Sequence, residues 1–476
     1  MDTSALLRAV LAALRTDVTA GLPSGVPRHR AELIDFVLTR IAAELSAPPG
    51  WKADYLGDLS RSFENAEFAR ASADVNINDA SDKKLHELTD QLKQILVRVA
   101  DRSGQIRLPK TASEALIRGI AGAELKFRDR LEGLVKAQGH AASPKAESSR
   151  NRMTTENVTT YLQTRFADCP DIRATEVLPI AGGRSKGTTR IKLEGHPSFP
   201  AEIVLRQDLI ADVGGQSVVY EYPLQKIVWQ AGLPIPQPLW LEGEETFLGG
   251  PFSALAAAPG RPGGTLFRMD APAAVARDAA QFFGRLHSLD IDEHDLRRKL
   301  LWGRSPAPVR DMLGFFYTKW TASEIEPSPL VEASFLWLYD HLDVIAPRPV
   351  FVHGDSSYHN MLVHEGRLSA VLDWEFAHAG DPAEDLVGSE HFTTEVLPWA
   401  EFMAIYRDHG GEDISRERFH FFALWRSLRF AIATAAAGHA FASGLDEDLR
   451  LAAIGYNSFP RLLHEVARQL AAACAV

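Results

Sequence analysis

The stretch that decides the fold is VHGDSSYHNMLVHEGRLSAVLDWEFAHAGDPAEDL, running from Val352 to Leu386. It opens with His353-Gly354-Asp355, and Asn360 follows five residues after the aspartate. A polar turn, Gly366-Arg367-Leu368, then leads into an apolar run broken only by Ser369 that ends at Asp373. A His-x-Asp with an Asn five residues on, a short hairpin and a strand-terminal Asp is the donor set that phosphoryl transfer from a nucleotide requires. One carboxylate takes the proton of an attacking hydroxyl, and an amide and a second carboxylate hold magnesium. The plainer reading is an Asp/Asn-rich hairpin capped by its own side chains; it explains either half of the pattern, but not both at this spacing.

Working outward, a chain of 476 residues is long for one ordinary domain and suggests two or three. A hydrophobic content of 46% beside 24% charged residues is that of a globular protein with full cores. The net charge of −11 argues against a nucleic-acid partner, because such affinity rests on Lys and Arg neutralising phosphates. Two distant cysteines, Cys169 and Cys474, support neither a disulfide framework nor a zinc site, and fit a reducing cytosol. The opening MDTSALLRAVLAALRTD has no basic lead and is interrupted by Arg8, so it reads as an amphipathic helix, not a signal peptide. With no apolar run long enough to span a bilayer, a cytoplasmic location without membrane association is expected.

Residues 1–137 read as a helical accessory domain. Leu33, Phe36, Val37, Ile41 and Leu45 keep a helical period, and further helices are expected over 84–99 and 112–137. The polar stretch from Trp51 to Asp79 reads as a long connection with room for one helix. Docking to a partner or homo-oligomerisation is the expected role of this domain. Residues 138–153, small, polar and charged, read as a linker.

Over 154–258 the pattern becomes that of a β-rich lobe. A helix (155–166) precedes β-like runs at 174–179, 188–193 and 201–206. Between the first two lies a glycine turn with Gly182, Gly183, Arg184 and Ser185. A strand–glycine turn–strand can cover nucleotide phosphates with backbone N–H groups, or can simply be a hairpin turn. Arg206, on the third strand, stands where a phosphate-binding cation is needed. Glu221, at the start of the next helix with Pro223 tolerated in its first turn, is its natural partner. A surface arginine and a carboxylate favoured by the helix dipole is the alternative. Strand 251–258 ends at Pro259-Gly260, the place for a hinge against adenine, or is simply a core strand. Residues 259–476 then read as a largely helical lobe, in which His287, near a helix end, is expected to be structural.

HGDSSYHN followed by VLDWEFAHAGDPAEDL resembles the aminoglycoside phosphotransferase/choline kinase superfamily. The DWE and GDP-x-x-DL details are similar to the branch that includes the kinase-like domain fused to some acyl-CoA dehydrogenases. The resemblance spans roughly 154–445 and implies an α+β, protein-kinase-like two-lobe fold preceded by the separate helical domain. It implies a kinase using ATP and Mg²⁺, with Asp355 as catalytic base, His353 bracing its loop, and Asn360 and Asp373 as magnesium ligands. Arg206 would contact the α/β-phosphates, oriented by Glu221. Asp381 and Asp385 would tie the GDP turn and cap the helix after it.

The acceptor is the open question. Ser357 and Tyr358, inside the catalytic loop, depart from the family pattern and border the acceptor. Glu375, with Glu384, Asp385, Glu390 and Glu395, could hold a cationic acceptor such as an aminoglycoside. Trp425 and Arg429, at helical spacing, would instead suit an apolar acceptor carrying an anionic group, or form a core stripe. The expected substrate is a small-molecule hydroxyl on a largely apolar metabolite. An antibiotic phosphotransferase is the alternative within the class, and a non-catalytic nucleotide-binding scaffold the alternative outside it.

Overall fold

In the computed structural model, the described residues are 26–65, 110–137, 153–180, 186–195, 199–208, 216–243, 248–265, 268–322, 328–443 and 449–475, with a few isolated positions between them. In chain order the helices and strands are α1 (Val26–Leu45), α2 (Pro49–Asn65), α3 (Lys110–Ala137), α4 (Thr155–Arg165), β1 (Arg173–Ile180), β2 (Lys186–Glu194), β3 (Glu202–Asp208) and α5 (Val218–Gln230). Next come β4 (Pro238–Glu242), β5 (Phe252–Ala256), β6 (Arg261–Pro262), α6 (Ala273–His287), α7 (Pro308–Ala322), α8 (Pro329–Asp340), β7 (Val350–Val352), β8 (Met361–His364), β9 (Arg367–Val371) and β10 (His378–Gly380). The chain closes with α9 (Ala383–Thr393), α10 (Trp399–Asp408), α11 (Arg416–Ala442), α12 (Leu449–Ala453) and α13 (Phe459–Ala473).

Two compact units divide the chain. One joins Met1–Pro144 to Met312–Ile345 and Arg416–Val476; the other joins Lys145–Asp311 to Ala346–Ser415. This division differs from the linear partition read from the sequence, because the N-terminal helices share a core with later ones. Within the helical unit α3 packs on α2, on α8 and on α13. His464 reaches Asp129 at 2.8 Å, and Arg118 donates to the Cys474 carbonyl at 2.7 Å.

The stretch from Trp51, read as a long connection with room for one helix, holds most of α2, whose Tyr55, Leu56, Leu59 and Phe63 are all buried at spacings that share one helix face. Of the helix expected over 84–99, only Leu85, Thr89, Asp90 and Leu92 are described, all helical; its other residues and the glycine turn 181–185 lie outside the described residues.

The second unit holds a five-stranded antiparallel sheet, ordered β1-β2-β3-β5-β4. Strand alternation gives it two faces. Ile191, Leu193, Ile203, Leu205, Phe252 and Ala254 point to one face, where they form a core with Val158, Tyr161 and Leu162 of α4. A capping box between Thr154 and Asn157 starts that helix. The opposite face carries Arg206, whose register partners are Thr188 on β2 and Ser253 on β5, and Asp208, which lies opposite Lys186. Charged and polar residues collect on that second face.

The decisive stretch folds as the expected hairpin. β8 pairs with β9 through a turn at Glu365 and Gly366, both at positive φ, as a two-residue turn of this hand requires. β10 pairs back on β7, placing the two ends of the stretch side by side.

Candidate active site

The loop after β7 is built on buried polar contacts. His353 is fully buried. Its Nδ1 accepts the Asp355 N–H at 3.1 Å, so its proton sits on Nε2, which donates to the Leu372 carbonyl at 2.9 Å. With both nitrogens spoken for, His353 braces the loop and joins it to the strand that ends at Asp373. Gly354 has φ +81, and a Cβ there would lie 2.5 Å from the Phe376 carbonyl oxygen; only glycine fits.

Asp385, fully buried, accepts the backbone N–H of His353 and of Gly354, each at 2.8 Å. Its third partner is His287 Nε2 at 3.1 Å, whose Nδ1 meets the Tyr406 hydroxyl at 2.9 Å. Burial opposes ionisation of Asp385, yet the bond and charge of His287, with His353 adding to both, hold its carboxyl below the ordinary range. Asp385 was expected to cap α9; it is instead the carboxylate that ties the catalytic loop down. Asp381 does hold its turn, accepting from Ala383 N–H at 2.9 Å and Ala346 N–H at 2.8 Å.

Asp355 receives the Asn360 amide on Oδ2 at 2.9 Å and the Ser357 hydroxyl on Oδ1 at 3.2 Å. His359 Nε2 stands 3.8 Å from the same Oδ2. A carboxylate offers about four lone-pair sites, so acceptor capacity remains for a hydroxyl proton. Because Asn360 spends its NH₂ on Asp355, its Oδ1 is the end presented to a cation. The Asn360 carbonyl also accepts Leu372 N–H at 2.8 Å, which brings the loop against the strand leading to Asp373.

Asp373 has φ +67, a conformation that aspartate tolerates better than most residues. Trp374 pins it. The indole is buried, packs edge-on against His353 at 4.6 Å between ring centroids and donates its N–H to the Val371 carbonyl at 3.3 Å, while the Trp374 backbone N–H donates to Glu221 Oε1 at 3.2 Å. Arg206 Nη2 reaches Asp373 Oδ1 at 2.7 Å and Glu221 Oε1 at 3.4 Å. Burial works against the guanidinium charge, but Glu221, Asp373 and Glu375 outweigh it and raise its pKa. Asp373 is likewise pushed up by burial and pulled further down by Arg206 and the neighbouring histidines, ending below its ordinary value. Glu221 moves the other way: burial raises it despite Arg206.

A second ionic cluster lies on the same sheet face. Lys186 Nζ is 3.1 Å from Asp208 Oδ1 and 3.6 Å from Glu375 Oε2, with both Lys186 and Glu375 side chains 7% exposed. Asp208 also caps α5, accepting the Ser217 hydroxyl at 2.5 Å and Val218 N–H at 3.1 Å. Sequence reasoning passed over Lys186 and Asp208. Their signal was present in the alternation of β3, where Asp208 stands two residues beyond Arg206.

The remaining candidates fall in different places. Ser357 serves Asp355 directly. Tyr358 is a core strut, 1% exposed, with its hydroxyl 2.7 Å from Thr393 Oγ1 and its pKa pushed up to about 12 by burial. Trp425 and Arg429 belong to the helical unit. Trp425 is fully buried against Phe316 at 5.3 Å, and the Arg429 guanidinium lies 5.0 Å from the Phe430 ring centroid.

Hard oxygen donors from Asp373 and Asn360 suit magnesium, which commonly takes one or two protein ligands and leaves the rest to phosphates and water. A carboxylate with acceptor capacity at Asp355, a cation paired with a helix carboxylate and two oxygen donors on adjoining segments are the groups that phosphoryl transfer of the protein-kinase-like kind would need. A family model described as APH, phosphotransferase enzyme family, matches residues 176–422. The chain belongs to that family, an enzyme family of kinases that use ATP with Mg²⁺.

Among curated proteins it is similar to acyl-CoA dehydrogenase family member 11 of Gallus gallus, 28% identical over 181 residues, covering 36% of this chain and 22% of that protein. It is also similar to acyl-CoA dehydrogenase family member 10 of Mus musculus, 27% identical over 225 residues, covering 45% and 20% respectively. The chain thus spans about a fifth of the length of these relatives. Among solved structures, macrolide 2'-phosphotransferase MphH from Brachybacterium faecium gives a TM-score of 0.43 at 22% identity, covering 63% of this chain and 97% of that one. A choline/ethanolamine kinase family protein from Mesorhizobium loti gives 0.43 at 17%, covering 68% and 100%.

Proposed function

We propose that this kinase moves the γ-phosphoryl group of ATP to a hydroxyl of a small, largely apolar metabolite, of the hydroxy-acid, hydroxyacyl-CoA or phenol type. Asp355 orients the acceptor hydroxyl and takes its proton. Asn360, turned by its bonds to Asp355, and Asp373, held by Arg206, would carry magnesium, which neutralises charge on the phosphates when bound. Arg206 and the β2 strand that faces it would meet the phosphates, and the glycine turn with Gly182, Gly183, Arg184 and Ser185 would cover them. Stabilising developing charge with fixed, partly buried groups is the main catalytic contribution open to such a site.

The observation that favours an apolar acceptor over a polycationic one is the fate of the carboxylates around the loop. Glu375 is paired with Lys186, Glu384 with His378 at 3.1 Å, and Asp385 with the loop backbone. All three are buried and serve internal partners, so they are not presented to a cationic substrate. The likeness to acyl-CoA dehydrogenase family members points the same way, as an association and not a mechanism. The test is nucleotide consumption by the purified protein with ATP and Mg²⁺ across panels of hydroxy acids, hydroxyacyl-CoAs, phenols, amino alcohols, aminoglycosides and macrolides. Turnover with the first three groups is expected; turnover confined to aminoglycosides or macrolides would overturn the acceptor assignment.

A further inference from the structure

The charged face of the sheet carries two parallel rungs. In one, Arg206 lies between Glu221 and Asp373; in the other, Lys186 lies between Asp208 and Glu375. On β3, Arg206 and Asp208 are two residues apart and so share a face; Asp373 and Glu375, in the segment after β9, meet the two cations of that face. The first rung is the expected place for a phosphate-binding cation. The second has no assigned role.

The two cations differ in what they can still do. The Arg206 guanidinium is a planar fork, and one of its nitrogens is already directed at two carboxylates. Lys186 carries a compact charge on a four-carbon stem with three rotatable donors. Among the described residues its ion-pair partners are Asp208 at 3.1 Å and Glu375 at 3.6 Å, the second beyond ordinary hydrogen-bond length. A nearly buried ammonium with donor capacity left over gains from a further anionic oxygen. Lys186 also stands directly after the glycine run in sequence and opposite Asp208 in the β2–β3 register, on the face that bears Arg206.

We propose that Lys186 is a second phosphate-contacting cation of the nucleotide site, held in place by Asp208 and Glu375 and directed at the β/γ-phosphates of a nucleoside triphosphate. It supplies from β2 the point charge that an arginine at the β3 position does not. The assignment rests on the kinase reading above. It also gives Glu375 a use other than acceptor binding, as the anchor that keeps the ammonium beside the segment bearing Asp373.

Titration calorimetry with ATP, ADP and AMP in the presence of Mg²⁺ tests this on the full chain, comparing wild type with Lys186→Met, Lys186→Arg and Arg206→Met. Loss of one charge-assisted contact corresponds to roughly tenfold to hundredfold in affinity. Lys186→Met is expected to weaken ATP by about that factor while AMP, which lacks the β- and γ-phosphates, changes by no more than about twofold; Lys186→Arg should recover most of the loss. Thermal melting of each variant identifies a folding defect. Equal ATP affinity in Lys186→Met and wild type overturns the proposal, as does an equal loss of ATP and AMP accompanied by a lowered melting temperature. If the wild type binds none of the three nucleotides, the kinase reading itself falls and the proposal with it. If ATP binding survives in Lys186→Met but is lost in Arg206→Met, the kinase reading stands and only the second cation is refuted.

Discussion

Replacing Asp385 by Asn probes the support of the catalytic loop without touching nucleotide or acceptor. The carboxylate is fully buried and accepts two backbone N–H groups on separate oxygens, each at 2.8 Å, with His287 at 3.1 Å. The amide keeps one acceptor oxygen, so at least one buried N–H must face an NH₂ group. A buried donor left without its partner costs about 1–3 kcal/mol, and hydrogen bonds to a charged group are worth about 1.5–3 kcal/mol. The expected loss is therefore about 2–4 kcal/mol, read as a lowered urea midpoint at pH 7 in tryptophan fluorescence, to which the nearby Trp374 contributes.

The acid limb gives a second check. The folded-state pKa of Asp385 is depressed from its ordinary 3.8. Its ionised form therefore stabilises the fold fully above that value, and the contribution is lost as pH falls through the lower folded value. The gap between wild type and Asp385→Asn should be widest near neutrality and close in acid. Equal midpoints at pH 7, or a gap unchanged down to strong acid, would refute the bracing role.

Two further outcomes follow from the geometry. Gly354→Ala meets both a positive φ and a Cβ 2.5 Å from the Phe376 carbonyl, so phosphotransfer should fall at least tenfold, checked by initial rates, while the helical unit melts as before. A fragment starting at Met153 removes α1 to α3, which pack against α8, α12 and α13; it should expose Leu463, Val466 and Leu470 of α13, now buried, and appear aggregated or partly unfolded by size-exclusion chromatography and circular dichroism. A monodisperse, fully active fragment would instead make the N-terminal helices an accessory.

What could be read from sequence divides along a physical line. The grouping of Asp355 and Asn360 with the strand that leads to Asp373 was legible because all three lie at short spacing along one segment, and the bracing by His353 because its ring sits in that same loop. The Arg206–Glu221 pair was legible because strand and helix phase leave few alternatives. Lys186 with Glu375, and His287 with Asp385, were not. Each joins residues far apart in the chain, and nothing in local periodicity says which distant carboxylate a cation will meet. Trp425 and Arg429 show the converse limit. Helical spacing identifies a face, but a face that packs into a core and one that lines a ligand site carry the same period. The one helix that the stretch from Trp51 had room for is α2, whose polar exposed positions outnumber the buried stripe of Tyr55, Leu56, Leu59 and Phe63.

The central claim is that Asp355 handles the acceptor proton while Asp373 serves the metal-bound nucleotide. Comparing Asp355→Ala and Asp373→Ala with wild type, for Mg²⁺-dependent ATP affinity and for acceptor-dependent turnover, tests it most directly. Asp355→Ala should bind ATP within about threefold of wild type and lose about 10²–10⁴ in turnover, the usual contribution of a general base, whereas Asp373→Ala should lose the magnesium dependence of ATP binding. Turnover retained in both variants would contradict the account.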